Sequence, residues 1–218
     1  MQHNKSLICL LVIGLLSFST LYSLCLVYFT PRDDIKLQLV ELIKQERKSI
    51  DVAMYMFTDK VIAQALIDAY VRGVKVTAVL DQVSMSERFG KGLLLQKSGI
   101  TVFVHRTSQV NPFSMPIMHN KFMIFGYNDR YKKSLLWTGS FNCTASASTL
   151  HDENVMIVDD MSAITEYQSC FKQLVARLGG AKHVPIEDDV EEMPLLEKVE
   201  HVMLEQIETE LQKFPECE

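Results

Sequence analysis

Two side chains able to handle a phosphate sit close together in the stretch "IMHNKFMIFG", Ile117 to Gly126. His119 and Lys121 are separated by one residue in an apolar run, and residues two apart on a strand project from the same face. About twenty residues on, "TGSFNCT" sets Ser140 and Asn142 two apart behind a glycine, and "HDENVMIVDD" follows with Glu153. The set offers a nucleophile or acid in His119, a cation in Lys121, and neutral hydrogen-bond donors in Ser140 and Asn142. A phosphodiester suits it: Lys121 offsets the phosphoryl charge, Ser140 and Asn142 bind nonbridging oxygens, and Glu153 holds a ring nitrogen of His119 and fixes its tautomer.

Alternating patterns surround these residues. "DDIKLQLVELIKQER", "DKVIAQALIDAYVRG", "ERFGKGLLLQKSG" and the stretch from Met161 to Leu178 read as helices. Gly73 ends the second of them. "SIDVAMYMF", "VKVTAVLD", "ITVFVH", the His119 segment, "SLLWTGS" and "ENVMIVD" read as strands. Strands alternating with helices predict one α/β domain with a mixed, largely parallel sheet covered by helices on both faces.

Both ends of the chain differ from this middle. Leu7 to Phe29 is a run of 23 residues without a charge, preceded by Lys5 and followed by "PRDD". About 20 apolar residues span a bilayer, and a cleaved signal peptide has a shorter apolar core. Residues 1–30 are therefore expected to form a membrane anchor through a transmembrane helix over 7–29. The following domain would lie on the extracytoplasmic side, or be secreted or periplasmic if the segment is cleaved. Residues 31–182 are the expected catalytic domain, and residues 183–218 an acidic amphipathic helical tail. From Pro185 to Glu218 there are 12 acidic residues against two lysines, whereas Thr30 to Val184 carries a net +4. The net charge of −5 thus hides a mildly basic body. Lys91, Lys97, Arg106, Arg130, Lys132 and Lys133 are candidates to line a cleft for a polyanion. The five cysteines contain no CxxC pair and no zinc spacing, which argues against a structural metal and leaves a Cys143–Cys170 disulfide open. His105 and His151 read as surface residues.

The His119–Lys121 pair followed by "GSFN" resembles the phospholipase D superfamily, whose motif runs HxK, four residues, D, then GS or GG, x, N. "IDVAMYMFTDKVIAQALIDAYVRGVKVTAVLD" resembles the first half of that domain, so the likeness extends from about Ile35 to Leu178. The short members with one motif per chain are the most similar: a bacterial endonuclease and the Zucchini/mitochondrial cardiolipin hydrolase group. The resemblance implies a metal-independent phosphodiesterase without a cofactor, acting through a phosphohistidine on His119. Lys121, Ser140 and Asn142 then clamp the phosphate, Glu153 orients a histidine, and two chains share one active site in a homodimer. With no Zucchini-type zinc insert visible, DNA or RNA is the leading expected substrate and a membrane phospholipid the alternative. A non-catalytic membrane module is a third reading, because the motif's aspartate falls at position 126, where this chain has Gly126. Strand parity turns position 126 away from the phosphate, which makes that aspartate's role structural; Asp129 in the longer turn is a candidate for the same work.

Overall fold

The computed structural model describes residues 23–86, 88–106 and 116–179. The acidic tail and the first part of the apolar run lie outside them. Seven strands form one sheet: β1 Cys25–Phe29, β2 Ser49–Met54, β3 Lys75–Asp81, β4 Thr101–His105, β5 Lys121–Asn128, β6 Lys133–Gly139 and β7 Asn154–Val158. Among the described residues five α-helices accompany them: α1 Ile35–Gln45, α2 Lys60–Val71, α3 Gly92–Lys97, α4 Ala145–Thr149 and α5 Met161–Gly179.

Each long helix begins where its sequence can satisfy its own amides. Asp34 accepts from Leu37 N at 2.9 Å ahead of α1. Asp59 accepts from Val61 N at 2.8 Å and Ile62 N at 3.0 Å ahead of α2. The α2 helix stops at Gly73, whose φ of 93° suits a residue without Cβ.

The sheet runs in the order β1-β7-β6-β5-β2-β3-β4. Strands β2, β3 and β4 are parallel, joined by crossovers through α2 and α3. The pairs β2–β5, β5–β6, β6–β7 and β7–β1 are antiparallel. The sheet is mixed, as expected, but the expectation that it is largely parallel is corrected, because four of its six strand pairs are antiparallel. The cause is local: β5, β6 and β7 are joined without long helices between them, so successive strands return antiparallel.

Alternation along the strands fills two cores. Ile50, Val52 and Met54 of β2, Met123 and Phe125 of β5, and Trp137 of β6 pack with α1 and α2. Ala53, Phe122, Ile124 and Leu136 point the other way and meet Ile164, Phe171 and Leu174 of α5. Both faces are covered, as expected. Cys143 and Cys170 are free thiols, so the disulfide left open by the sequence is not formed.

The largest departure is β1. Residues 25–29 close the run expected to form a transmembrane helix, yet they form an edge strand antiparallel to β7, with Val27 opposite Met156. Leu24, Leu26 and Tyr28 pack on the core while Val27 and Phe29 stay exposed. Alternation of this kind needs only every second residue apolar, so a run without a charge hid a strand inside a helix-length signal. Among the described residues no helix is long and apolar enough to cross a membrane.

Placing Leu26 in the sheet core has a measurable consequence. Leu26→Asp is expected to lower stability by about 2 kcal/mol or more, since an apolar contact is lost and a carboxylate meets an apolar core. Chemical denaturation of the detergent-solubilised chain measures this; an unchanged midpoint would place residues 25–29 outside the sheet.

Candidate active site

The motif residues converge at one end of the sheet. Lys121 opens β5, Gly139 closes β6, Asn154 opens β7 and Met54 closes β2. Because β2 and β5 are antiparallel with Met54 opposite Lys121, residues just after β2 meet residues just before β5. His119 lies in that approach rather than in the strand itself. Its neighbours anchor it: the Asn120 carbonyl accepts from Tyr55 N at 2.9 Å, and the Met118 side chain is buried.

His119 Nε2 lies 3.1 Å from Lys121 Nζ, which also donates to the His119 carbonyl at 2.9 Å. An ammonium only donates, so this contact makes Nε2 the acceptor and leaves the proton of the neutral ring on Nδ1. The side chain expected to attack phosphorus thus turns its lone pair toward the cation expected to bind the phosphoryl oxygens. Tyr55 completes the cluster. Its ring meets His119 edge-on at 4.7 Å and lies 5.2 Å from Lys121 Nζ.

Partial withdrawal from water pushes the His119 imidazole below its ordinary pKa, the Lys121 ammonium pushes the same way, and Asp81 opposes both. Lys121 is likewise lowered by desolvation, against the attraction of Glu153. A neutral histidine at neutral pH is the form a nucleophile needs.

The "GSFN" segment closes the other side. Gly139 runs so near β7 that a Cβ there would fall 2.1 Å from the Asn154 carbonyl oxygen, which leaves room only for glycine. That approach lets Ser140 N donate to the Asn154 carbonyl at 3.0 Å. Asn142 Oδ1 accepts from Met56 N at 3.2 Å, fixing the amide so that its NH2 group is the donor left for a ligand. The Cys143 carbonyl takes Thr58 N and Asp59 N, each at 2.8 Å, which zips this loop to the segment after β2.

Within the chain Glu153 is engaged by Ser140. Its carboxylate accepts from Ser140 Oγ, and its other oxygen lies 3.9 Å from His151 Nδ1. Within one chain it touches Ser140 rather than the ring of His119. Ser140 in turn directs its hydroxyl proton to Glu153 and accepts from Asn154 N at 3.0 Å, so it braces Glu153. The strand missed in the sequence explains how Glu153 is held: Thr30, directly after β1, exchanges backbone and side-chain bonds with it at 3.0 and 2.8 Å.

His151 is exposed, as read, but His105 is not a surface residue. Its side chain is 15% exposed and its Nδ1 lies 3.5 Å from Asp81 Oδ2. Tyr55 and Asp81 are the site residues that sequence reasoning missed. The only signal for either was its place at the end of a strand, where the chain also puts ordinary loop residues.

Gly126 has a physical account. It sits at a β-bulge, where the β5–β6 register shifts between Phe125 and Asn128. A Cβ at 126 would lie 2.5 Å from Ser49 Oγ and 3.2 Å from Ser49 N. That amide is already taken by the fully buried Glu46, whose Oε1 accepts from Lys48 N at 2.7 Å, Ser49 N at 3.1 Å and Tyr127 N at 2.8 Å. A carboxylate reaching in from the end of α1 therefore already serves the amide against which a side chain at 126 would press. Asp129, the other candidate, is engaged at the surface by Arg47 and Lys132.

Comparison with known proteins places the chain in a family. Residues 39–175 match the family described as cardiolipin synthase, PLD-like domain. A phospholipase D from Rickettsia bellii is 33% identical over 151 residues, 69% of this chain and 69% of that protein. The mitochondrial cardiolipin hydrolase of Xenopus tropicalis is 26% identical over 137 residues, 63% of this chain and 59% of that protein. The crystal structure of Nuc, a phospholipase D family member from Salmonella typhimurium, has a TM-score of 0.59 at 25% identity, covering 71% of this chain and 95% of Nuc.

If Glu46 already supplies the buried carboxylate, an added one competes with it. Gly126→Asp is expected to lose about 1–3 kcal/mol of stability by overpacking against Ser49 while turnover changes less than about threefold. Thermal denaturation together with phosphodiester hydrolysis separates the two effects. A hundredfold gain in rate would show that the glycine impairs catalysis.

Proposed function

Because the chain belongs to the phospholipase D-like family of phosphodiester hydrolases, we propose that it cleaves a phosphodiester by attack of His119 Nε2 on phosphorus. The observation that carries this reading is the 3.1 Å approach of His119 Nε2 to Lys121 Nζ. A phosphoryl group entering between them meets a lone pair on one side and a cation on the other. In the first step an N–P bond forms and the bond to the leaving oxygen breaks. In the second, water attacks phosphorus and the N–P bond breaks. Lys121 and the Asn142 amide hold nonbridging oxygens through both steps.

The leaving oxygen needs a proton, and this chain carries one HxK. We assign that proton to a second copy of His119 in a twofold homodimer, where identical residues at one site hold opposite protonation states. Exposed apolar side chains beside the site support the pairing. Met56, Ile117 and Leu150 are 37%, 48% and 79% exposed. They adjoin the Asn142 contact, His119 and His151 respectively.

We take DNA or RNA as the leading substrate, with the net +4 of residues 30–184 and the fold shared with Nuc in support. A membrane phospholipid is the second reading, favoured by the relatives named phospholipase D and cardiolipin hydrolase and by the uncharged run that begins at Leu7.

Purified chain is to be assayed side by side on single-stranded DNA, RNA, duplex DNA and phospholipid vesicles. Hydrolysis is expected to survive excess EDTA and to vanish in His119→Asn without change in the thermal transition. Retained activity in that variant would move the nucleophile elsewhere. Nucleic-acid affinity should fall steeply as salt rises through counterion release, whereas a flat profile with strong vesicle turnover selects the lipid.

The shared site has its own test. When wild-type and His119→Asn chains are refolded together in equal amounts, only wild-type pairs carry two histidines, about a quarter of all dimers under random pairing. Activity near one quarter of an equal wild-type total supports the shared site; one half means that each chain works alone.

A further inference from the structure

Outside the motif, one buried acid faces the catalytic end of the sheet. Asp81 closes β3 and is 1% exposed. Its Oδ2 accepts from Met118 N, the amide next to His119, at 2.9 Å. Its Oδ1 accepts from Val83 N at 3.3 Å and so caps the short helical turn Gln82–Met85. Within that turn Ser84 Oγ donates to the Tyr55 carbonyl at 2.8 Å and accepts from Phe57 N at 2.9 Å. One carboxylate thus governs His119 from two directions: through the backbone beside it, and through the turn that holds the ring packed on its imidazole.

His105 lies behind Asp81. The two residues are opposite each other in the β3–β4 register. His105 Nδ1 is wholly buried and makes no hydrogen bond, with Asp81 Oδ2 3.5 Å away. The carboxylate therefore has the His105 ring on one side and the Met118 amide, next to His119, on the other.

We infer that Asp81 is a positioning residue for phosphoryl transfer, fixing the segment that carries His119 through the Met118 amide and setting a buried negative charge against that of Lys121. The inference rests on His119 as the nucleophile. Buried charge of this kind is felt over longer range than a surface ion because little water screens it. The charged and titratable groups in contact with His119 are Lys121 from β5 and Tyr55 from the end of β2, with Asp81 of β3 held to the adjoining Met118 amide. His105 of β4 stands behind Asp81, and Glu153 at the head of β7 acts on Lys121. Of these, Asp81 is the one that favours the protonated ring of His119, against desolvation and Lys121. Its charge opposes the lowering of the imidazole by desolvation and Lys121, which favours the protonated form that a second copy needs to serve the leaving oxygen.

Asp81→Asn separates the two roles. The asparagine oxygen retains the Met118 amide and loses the weaker contact to Val83, while the charge disappears. In the full chain, the NMR titration midpoint of the His119 ring is expected to fall, since the charge that favours its protonated form is gone. The acidic limb of kcat/KM on a chromogenic aryl phosphodiester should move to lower pH with it. Asp81→Ala also removes the acceptor, and kcat on the same diester should fall about tenfold or more at every pH while KM stays within about threefold. A His119 midpoint in Asp81→Asn within about 0.1 unit of wild type overturns the electrostatic role. An unchanged kcat in Asp81→Ala overturns the positional one. If the alanine variant fails to fold, the asparagine variant decides alone: an unmoved titration sinks the inference and a shifted one sustains it. Failure of the nucleophile assignment would show separately, as activity retained by His119→Asn.

Discussion

The antiparallel pairing of β2 with β5 is the constraint from which the site follows. It sets Met54 opposite Lys121, and the two strands then run past each other so that Tyr55 and His119 are neighbours without being close in sequence. A slip of one residue would turn Lys121 from the α1–α2 side of the sheet to the α5 side and separate it from Tyr55. The register is held at its far end by Glu46, which ties the start of β2 to the end of β5 through the amides of Ser49 and Tyr127. It is held in the middle by apolar side chains that fit only one face each. A buried carboxylate at one end of a strand pair thus helps to determine which groups meet at the other, about 17–20 Å away at strand geometry.

The chemical content of the site was legible wherever it depends on spacing along one segment. His119 and Lys121 project together because they are two apart, and Gly139 had to be small where two strands nearly touch. Positions that depend on contacts between segments were not legible. Asp81 and Tyr55 are ordinary residues at strand ends until folding brings β2, β3 and the approach to β5 together. Ser140 and Glu153 carry the right chemistry for the roles expected of them, and the side-chain hydrogen bond that pairs them is a contact of this kind. A similar limit applied to the fold. Strand alternation and helix caps located most elements, whereas sheet order and strand direction arise from how loops of different length return the chain.

Gly126 shows how a departure from a motif can be reconciled with an intact fold. The bulge in β5 needs its amides satisfied, and a carboxylate is well suited because one oxygen can accept several N–H groups. Here that carboxylate arrives from the end of α1, and the glycine leaves it room. The same buried acceptor can be delivered from different points along the chain provided that it reaches the same amides.

The direction of β1 has an effect on how the molecule is presented to its surroundings. The chain joins the sheet at Ser23 and Leu24, which are tied to Asp159 at the pole opposite His119, and it reaches the catalytic pole only at Thr30. Five residues of extended strand separate these poles, roughly 17 Å. Whatever precedes Ser23 therefore meets the sheet at the pole remote from His119.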